Sequence, residues 1–306
     1  MTHRISAKTH FEKEYDFCKI SVQNLVSSGY PLHTHDYIEI VIVLAGRAEH
    51  CIKGKTYHVS SGDVYVLQGN QEHGFKNATR DFRIMNVMYR PEIFNFPLEK
   101  LKTMPGYQAL FILEPARRSG IEFRSLLRLD SAHLKEVVEK IQRLRHEMEM
   151  RPPGFDCVSR AYLLELIVFL SRIYPTSSEN STDGLLRFSE AVAWMEENYT
   201  KHSTVADLAR RAAMSDRHFF RMFKKIFHAS PLEHIIRLRI RKAVELMWSG
   251  RGNITETAFN CGFSDGNYFS KQFRRIMGVS PRQYRKIRNG LAIKKKSPPF
   301  GPCIVA

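Results

Sequence analysis

The chain has 306 residues and a formal net charge of +16, and its length predicts two domains, each large enough to bury its own core. Its five cysteines are scattered, odd in number and without a C-x-x-C pair, which excludes a disulfide framework or a zinc ribbon and predicts reduced thiols. The longest apolar run, AYLLELIVFLSRIY, contains Glu165 and Arg172 and is too short to span a bilayer, so no membrane partner is expected.

Short β-rich runs separated by turn residues occupy the chain from Pro31 onward. They read YIEIVIVLAG, AEHCIKGKTYHV, DVYVLQG and FRIMNVMYR, with turns at Lys53-Gly54 and Ser61-Gly62. Short runs of this kind predict a small all-β barrel or sandwich.

Two amphipathic helices are predicted next, over residues 132–150 and 155–174, with Pro152-Pro153-Gly154 between them. The first carries one apolar stripe, formed by Leu134, Val137, Val138, Ile141, Leu144 and Met148. Such helices after a barrel cover its open face, pair with a second subunit, or do both. The polar stretch that follows, PTSSENSTD, lacks periodicity and predicts a flexible interdomain linker.

Helix signals begin again at Thr204, which forms a predicted capping box with Asp207. After a turn comes RHFFRMFKKIF, in which Phe219 and Phe223 repeat at helical spacing and are expected to face a core. Ser230-Pro231 begins the next helix, because Ser caps a helix and Pro at its first position loses no useful donor.

The same unit recurs about fifty residues later. Asn253 and Glu256 form a second predicted capping box, Phe269 and Phe273 repeat at helical spacing, and Ser-Pro again closes the unit. The two copies align when one extra residue, Gly266, is allowed in the later turn. The chain therefore contains an internal repeat of two short helices joined by a tight turn.

In each copy the second helix is apolar on one face and basic on the opposite face, as a helix that reads the DNA major groove requires. The front faces carry Arg217, Phe220, Arg221, Lys224 and Lys225 in the first copy and Asn267, Ser270, Lys271, Arg274 and Arg275 in the second. Arg or Lys suits guanine and Asn suits adenine, so the base-edge candidates are Arg217, Arg221, Asn267 and Lys271. The phosphate candidates are Lys224, Lys225, Arg274 and Arg275. For each charge alone, a solvated surface is the competing interpretation.

The helix between the copies is predicted over residues 231–248. Its eighteen residues span ~27 Å, close to the ~34 Å that separates adjacent major-groove faces on one side of a duplex. Residues 184–290 carry 20 Lys and Arg against 9 Asp and Glu, whereas residues 1–183 carry 24 against 22. This asymmetry predicts a polyanion partner for the second half of the chain.

The repeat, the connecting helix and the ending GFSDGNYFSKQFRRIMGVSPRQYR resemble the DNA-binding domain of AraC/XylS-type bacterial transcription regulators, over residues 184–290. The resemblance implies an all-α domain with two helix-turn-helix units, double-stranded promoter DNA as a partner, contact with RNA polymerase, activation of transcription and a homodimer. A general nucleic-acid packaging protein is disfavoured, because it would not need two spaced reading helices.

The β region contains a second sequence motif, formed by histidines, a glutamate and glycines at fixed spacing. His33, His35, Glu39 and Gly46 follow the spacing of the first cupin motif, and Gly62, His73 and Asn77 follow the second, although Gln68 and Asn70 replace its usual Pro and Gly. By strand periodicity His33, His35 and Glu39 share one face. The region thus resembles a cupin barrel whose candidate ligands, His33, His35, Glu39 and His73, suit a polar effector or a divalent metal such as Zn, Mn, Fe or Ni.

The β region also resembles the sensor half of rhamnose-responsive regulators through EIVIVLAG, HCIKGKTYHVSSGDV and NVMYR, which implies a sugar effector. We therefore expect a cytoplasmic, effector-responsive activator of carbohydrate-metabolism genes that is not an enzyme. A metal-dependent cupin enzyme or a metal sensor fused to a DNA-binding domain is the alternative.

The expected architecture is α+β and multidomain. It comprises a cupin-like sensor at 1–130, a helical dimerisation segment at 131–175, a linker at 176–183, the DNA-binding domain at 184–290 and a disordered tail at 291–306.

Overall fold

The computed structural model describes residues 3–6, 11, 16–25, 29–52, 54–69, 71–91, 98–117, 127–174, 183–250 and 252–292. The chain divides into two compact units, Met1–Ala193 and Trp194–Ala306. The division falls later than the predicted boundary, inside a helix at Asp183–Asn198, and Leu186 of this helix packs on the core of the first unit. Apart from Asp183, the predicted linker lies outside the described residues, as does the predicted tail beyond Ala292.

Two five-stranded sheets form the β part of the first unit. In chain order the described strands are β1 His3–Ile5, β2 Cys18–Asn24, β3 Tyr30–His35, β4 Ile38–Ala45, β5 Arg47–Ile52, β6 Lys55–Ser60, β7 Asp63–Leu67, β8 His73–Lys76, β9 Arg83–Tyr89 and β10 Leu127–Arg128. The first sheet has the order β1-β3-β8-β5-β6 and the second β10-β7-β4-β9-β2. The predicted cupin-like β domain is thus confirmed, with two separate sheets as its walls.

The second sheet is buried on both faces. Side chains alternate along β4, so Val41 and Val43 join one apolar cluster inside the β domain, whereas Ile40 and Ile42 join a larger cluster shared with helices. This explains why β4 reads as a nearly continuous apolar run in the sequence and shows no period-two pattern.

Helices cover the outer face of the second sheet. They are α1 Leu98–Lys102, α2 Pro105–Tyr107, a π-helical segment Gln108–Leu113, α3 Glu114–Arg117, α4 Ser131–Met150 and α5 Phe155–Ile173. Asp130 caps α4 by accepting a 2.8 Å hydrogen bond from the backbone N–H of His133. In the predicted stripe of α4, Val137, Ile141 and Leu144 are fully buried in the cluster that contains Ile40.

The second unit is helical. Its helices are α6 Asp183–Asn198, shared with the first unit, then α7 Val205–Arg211, α8 Asp216–Phe227, α9 Pro231–Ser249, α10 Ile254–Asn260, α11 Gly266–Met277 and α12 Pro281–Ala292. The predicted capping boxes at Thr204 and Asn253 are present, and a third, between Ser230 and Glu233, begins α9. Local side-chain hydrogen bonds thus fix where these helices start.

The two copies of the repeat differ in their turns. Ser215 caps α8 and Asp265 caps α11, so Gly266 is the first residue of α11 and corresponds to Asp216. The prediction that Gly266 is the extra residue is therefore wrong. The extra residue lies in the preceding turn, where Gly262 has a φ of +88° and lies against the backbone of Thr200.

Among the residues that the structure describes, no helix combines the length and apolar character needed to cross a bilayer.

Candidate functional site

Helix α8 presents a basic face above a buried aromatic face. Phe219 and Phe223 are fully buried, with their ring centroids 5.9 Å apart. The predicted reading residues all lie on the opposite, exposed side, and they are Arg217, Phe220, Arg221, Lys224 and Lys225. Phe220 keeps 41% of its surface exposed, so its ring lies on the same accessible face as the cations.

Helix α11 repeats this arrangement fifty positions later. Phe269 and Phe273 are fully buried, their ring centroids 5.6 Å apart. Asn267, Lys271, Arg274 and Arg275 are exposed, and Ser270 is half-buried. Sequence reasoning missed Tyr268, which is 42% exposed beside Asn267. Tyr268 is the third residue of α11 and lies in its first turn, next to the predicted Asn267, and this position was the available signal.

The connecting helix α9 packs against the second helix of both copies. Ile236, Ile240, Ala243 and Met247 belong to the same apolar cluster as the buried phenylalanines of α11. Near its start, His234 lies edge-on to Phe223 of α8, with ring centroids 5.5 Å apart, and His234 Nε2 lies 2.7 Å from the buried carboxylate of Glu196. The nineteen residues of α9 span about 28 Å. The helix is therefore a rod of the predicted length, packed against both α8 and α11.

The other candidate site lies inside the β domain, where His33, His35, Glu39 and His73 come together. All four side chains are buried, and one potential ligand atom from each lies within 4.8 Å of all the others. His33 and His35 come from β3, and His33 pairs with His73 of β8 in the first sheet. The four predicted residues thus form one cluster.

Glu39 reaches this cluster from a different strand. It lies on β4, where it pairs with Leu67 and Met88 in the second sheet. The expectation that Glu39 shares a strand face with His33 and His35 is therefore wrong, because the chain turns between β3 and β4 and the two sheets face each other. The cluster consequently joins both walls of the β domain.

Each imidazole in the cluster is oriented through its Nδ1. Nδ1 of His33 lies 3.0 Å from the carbonyl oxygen of Pro31, that of His35 lies 2.9 Å from Tyr37, and that of His73 lies 2.8 Å from Gln71. A carbonyl oxygen only accepts, so each Nδ1 carries a proton and donates it. Sequence reasoning did not identify these three carbonyls, because main-chain atoms leave no trace in residue types.

The Glu39 carboxylate contacts two of these rings. Its Oε2 lies 3.2 Å from His35 Nε2 and 3.4 Å from His73 Nε2. Burial alone would raise the pKa of Glu39, but the neighbouring His35 and His73 hold it below its ordinary value. Burial and the nearby His73 lower the pKa of His33 to about 4, so this ring is neutral at pH 7. The cluster therefore contains an ionised carboxylate beside a neutral imidazole.

Two further side chains extend the polar lining. Tyr37 stacks on His35, with ring centroids 4.1 Å apart. Asn86 of β9 pairs with Val41, two residues from Glu39, and so faces the same interior. It is buried, and its Oδ1 has no hydrogen-bond partner among the residues that the structure describes. A buried amide oxygen of this kind is suited to accept a hydrogen bond from a polar ligand.

Comparison with known proteins matches one family to each of the two regions that contain these sites. A helix-turn-helix domain family matches residues 208–287, and the AraC-like ligand binding domain family matches residues 20–146. A curated relative, the HTH-type transcriptional activator RhaS of Escherichia fergusonii, is 30% identical over 266 residues, covering 87% of this chain and 91% of that protein. The chain belongs to the AraC family of transcription regulators. It is a DNA-binding regulator with an N-terminal small-molecule-binding domain.

A second curated relative and two solved structures are similar to this chain to different extents. RhaS of Salmonella arizonae is 29% identical over 272 residues, covering 87% of this chain and 91% of that protein. Among solved structures, the DNA-binding domain of AdpA in complex with a target DNA is 32% identical and covers 36% of this chain and 96% of that chain, with a TM-score of 0.33. ToxT from Vibrio cholerae is 17% identical and covers 89% and 98%, with a TM-score of 0.32.

Proposed function

We propose that this regulator activates carbohydrate-metabolism genes in response to a small-molecule effector, a sugar by resemblance to the RhaS activators. The observation that carries the proposal is the repetition of one surface. Helices α8 and α11 both place an exposed basic face over two fully buried phenylalanines. A duplicated face of this kind serves a partner that is itself repetitive, as duplex DNA is.

The side chains on these faces have different proposed roles. Arg217 and Arg221 on α8, and Asn267 and Lys271 on α11, read base edges in the major groove. The more C-terminal cations Lys224, Lys225, Arg274 and Arg275 bind phosphates and fix the register on the duplex. Phe220 and Ser270 complete the contact surface, because an exposed ring packs on a thymine methyl group and a hydroxyl pairs with any base.

Effector binding belongs to the cluster of His33, His35, Glu39 and His73. Strand β4 connects this cluster with the helices, because Glu39 faces the cluster and Ile40, the next residue, packs with α4 and α5. A ligand that moves β4 therefore changes the packing of α4 and α5. We place the homodimer contact on these helices, so that the effector controls how two DNA-binding domains meet a promoter and RNA polymerase.

The sensor domain, in this proposal, binds its ligand without turnover, and the chain is not an enzyme. The other function that a specific observation favours is metal sensing, because three imidazoles and one carboxylate meet in a single buried cluster. A sugar-responsive sensor changes its promoter binding when the sugar is added, whereas a metal sensor does so when the metal ion is added or removed.

DNA binding is tested with the full-length protein and a duplex that carries its promoter. The double variant Arg217→Ala plus Lys271→Ala removes one base reader from each copy. Each lost base contact costs ~1–3 kcal/mol, so the expected loss in affinity is at least about thirtyfold. Arg80→Ala, which removes an exposed positive charge from the β domain, is the control and should bind normally. Sequence-specific binding that survives the double substitution would show that these residues are not the readers.

A further inference from the structure

The histidine cluster has an unusual arrangement of donors and acceptors. The Nδ1 atoms of His33, His35 and His73 are all engaged by carbonyl oxygens, at 2.8–3.0 Å. In the neutral form, each ring therefore keeps its lone pair on Nε2, the atom left for a ligand. Histidines that bind metals have this same feature, since a hydrogen bond at the other ring nitrogen fixes the tautomer and orients the ring.

The fourth group in the cluster is an acceptor as well. The ionised carboxylate of Glu39 offers only lone pairs, yet it lies 3.2 Å from His35 Nε2 and 3.4 Å from His73 Nε2. His73 Nε2 is buried and has no hydrogen-bond partner within the described part of the chain. A positive charge allows these groups to converge in a buried site, and either a proton on His35, which then donates to Glu39, or a bound cation supplies it.

The spacing of these atoms matches that of metal ligands. Two ligands each about 2.1 Å from a metal are about 3.4 Å apart in a tetrahedral arrangement. The two contacts of Glu39 already have about this separation, and the widest pair, at most 4.8 Å apart, has to close by up to about 1.4 Å. Rotation of an imidazole about its side-chain bonds supplies a movement of this size.

We propose that His33, His35, His73 and Glu39 bind one divalent transition-metal ion and that the effector binds to this ion. Three imidazoles and one carboxylate are the donors that Zn²⁺, Fe²⁺, Ni²⁺ and Mn²⁺ accept, and they disfavour Ca²⁺ and Mg²⁺, which prefer oxygen alone. In five- or six-coordinate geometry the ion keeps positions for oxygen atoms of a ligand. Asn86 is placed to accept a hydrogen bond from that ligand.

The ion would also link the two sheets. Its imidazole ligands come from β3 and β8 of the first sheet, and its carboxylate comes from β4 of the second. Metal binding then holds β4, and with it the packing of Ile40 against the helices, in one position. Binding of the ion does not depend on the proposed function, whereas its role as the effector contact does rest on it.

The test uses tag-free, full-length protein. It is loaded separately with Zn²⁺, Mn²⁺, Fe²⁺ and Ni²⁺, dialysed, and analysed by inductively coupled plasma mass spectrometry. Wild type should retain about one equivalent of a preferred metal. His33→Ala, His73→Ala and Glu39→Ala should each weaken affinity by more than the roughly 10–100-fold that loss of an outer-shell partner costs. The matched control is His58→Ala on β6, because His58 is exposed and outside the cluster.

A second measurement covers variants that fail to fold. Glu39→Gln has the same shape and lacks the charge, and Co²⁺ serves as a spectroscopic probe. Visible bands of bound Co²⁺ that shift or disappear in Glu39→Gln support coordination by this carboxylate. The proposal is overturned if wild type retains no metal, if His58→Ala loses as much metal as His73→Ala, or if the Co²⁺ bands are unchanged in Glu39→Gln.

Promoter binding in the same preparations keeps this proposal separate from the proposed function. Normal sequence-specific binding by a protein that retains no metal rejects the metal site alone. Metal bound at one equivalent by a protein without sequence-specific DNA binding supports the metal site and rejects the proposed function.

Discussion

Replacing Gly262 by alanine should destabilise the second helix-turn-helix unit through two separate effects. Gly262 has a φ of +88°, a conformation that costs a residue with a side chain roughly 1–2 kcal/mol. A Cβ at this position would also lie 2.7 Å from Cα of Thr200 and meet the carbonyl group of the same residue. Because this neighbour is backbone, the overlap should cost a further ~1–3 kcal/mol. The expected total is about 2–5 kcal/mol, a large fraction of the stability of a domain.

Gly278→Ala is a matched control for the backbone effect. Gly278 ends α11 with a φ of +74°, and a Cβ there would meet no atom within 4 Å. Both tryptophans, Trp194 and Trp248, lie in the second unit, so their fluorescence during urea unfolding reports this unit in the full-length protein. Gly278→Ala should lose about 1–2 kcal/mol and Gly262→Ala clearly more. Equal losses in the two variants would refute the close approach of Gly262 to Thr200.

Three further predictions concern the second unit. Phe269→Ala should lower the free energy of unfolding by about 3–5 kcal/mol, because Phe269 is fully buried. Phe220→Ala, at an exposed ring, should change it little. Equal effects of the two variants in urea unfolding would contradict the burial of the Phe269 side chain. Arg274→Ala should weaken binding to all duplexes and reduce the slope of log affinity against log salt by about 0.9, because it removes a phosphate contact. Lys271→Ala should instead relax the preference for one base. Identical salt titrations of the two variants would argue against a phosphate-binding role for Arg274 and a base-reading role for Lys271. Hydrogen bonds from Ser230 lower the pKa of Glu233, so this carboxylate stabilises α9 above its unfolded pKa of about 4.3 and loses that effect as pH falls through its lower folded pKa. Glu233→Gln should therefore make the unfolding transition, followed by tryptophan fluorescence, less sensitive to acid. An unchanged dependence of stability on pH would exclude this contribution.

The features that could be predicted from the sequence depend on residues close together in the chain. Thr204 and Asp207, or Asn253 and Glu256, form their capping boxes across three positions, and the amino-acid types alone identify them. The buried faces of α8 and α11 follow from the helical spacing of their phenylalanines. Most of the helices of the second unit could therefore be predicted from residues that are close together in the chain.

The features that the sequence did not reveal depend on contacts between distant segments. Glu39 meets His73 only because two sheets face each other, and strand periodicity cannot show which sheet a residue joins. Gly262 is needed because Thr200, from the turn after α6, approaches it. The start of α6 packs on the first unit through Leu186, a contact that the polarity of the preceding sequence does not indicate.

The most direct test of paired DNA reading is selection of bound duplexes from a random pool, using full-length protein and its Arg217→Ala and Lys271→Ala variants. Wild type should select two short motifs whose centres lie about one duplex turn, ~34 Å, apart. Arg217→Ala should lose base preference in one motif and Lys271→Ala in the other, each with the second motif intact. Variants that lose preference at the same positions, or at none, would contradict reading of DNA by α8 and α11.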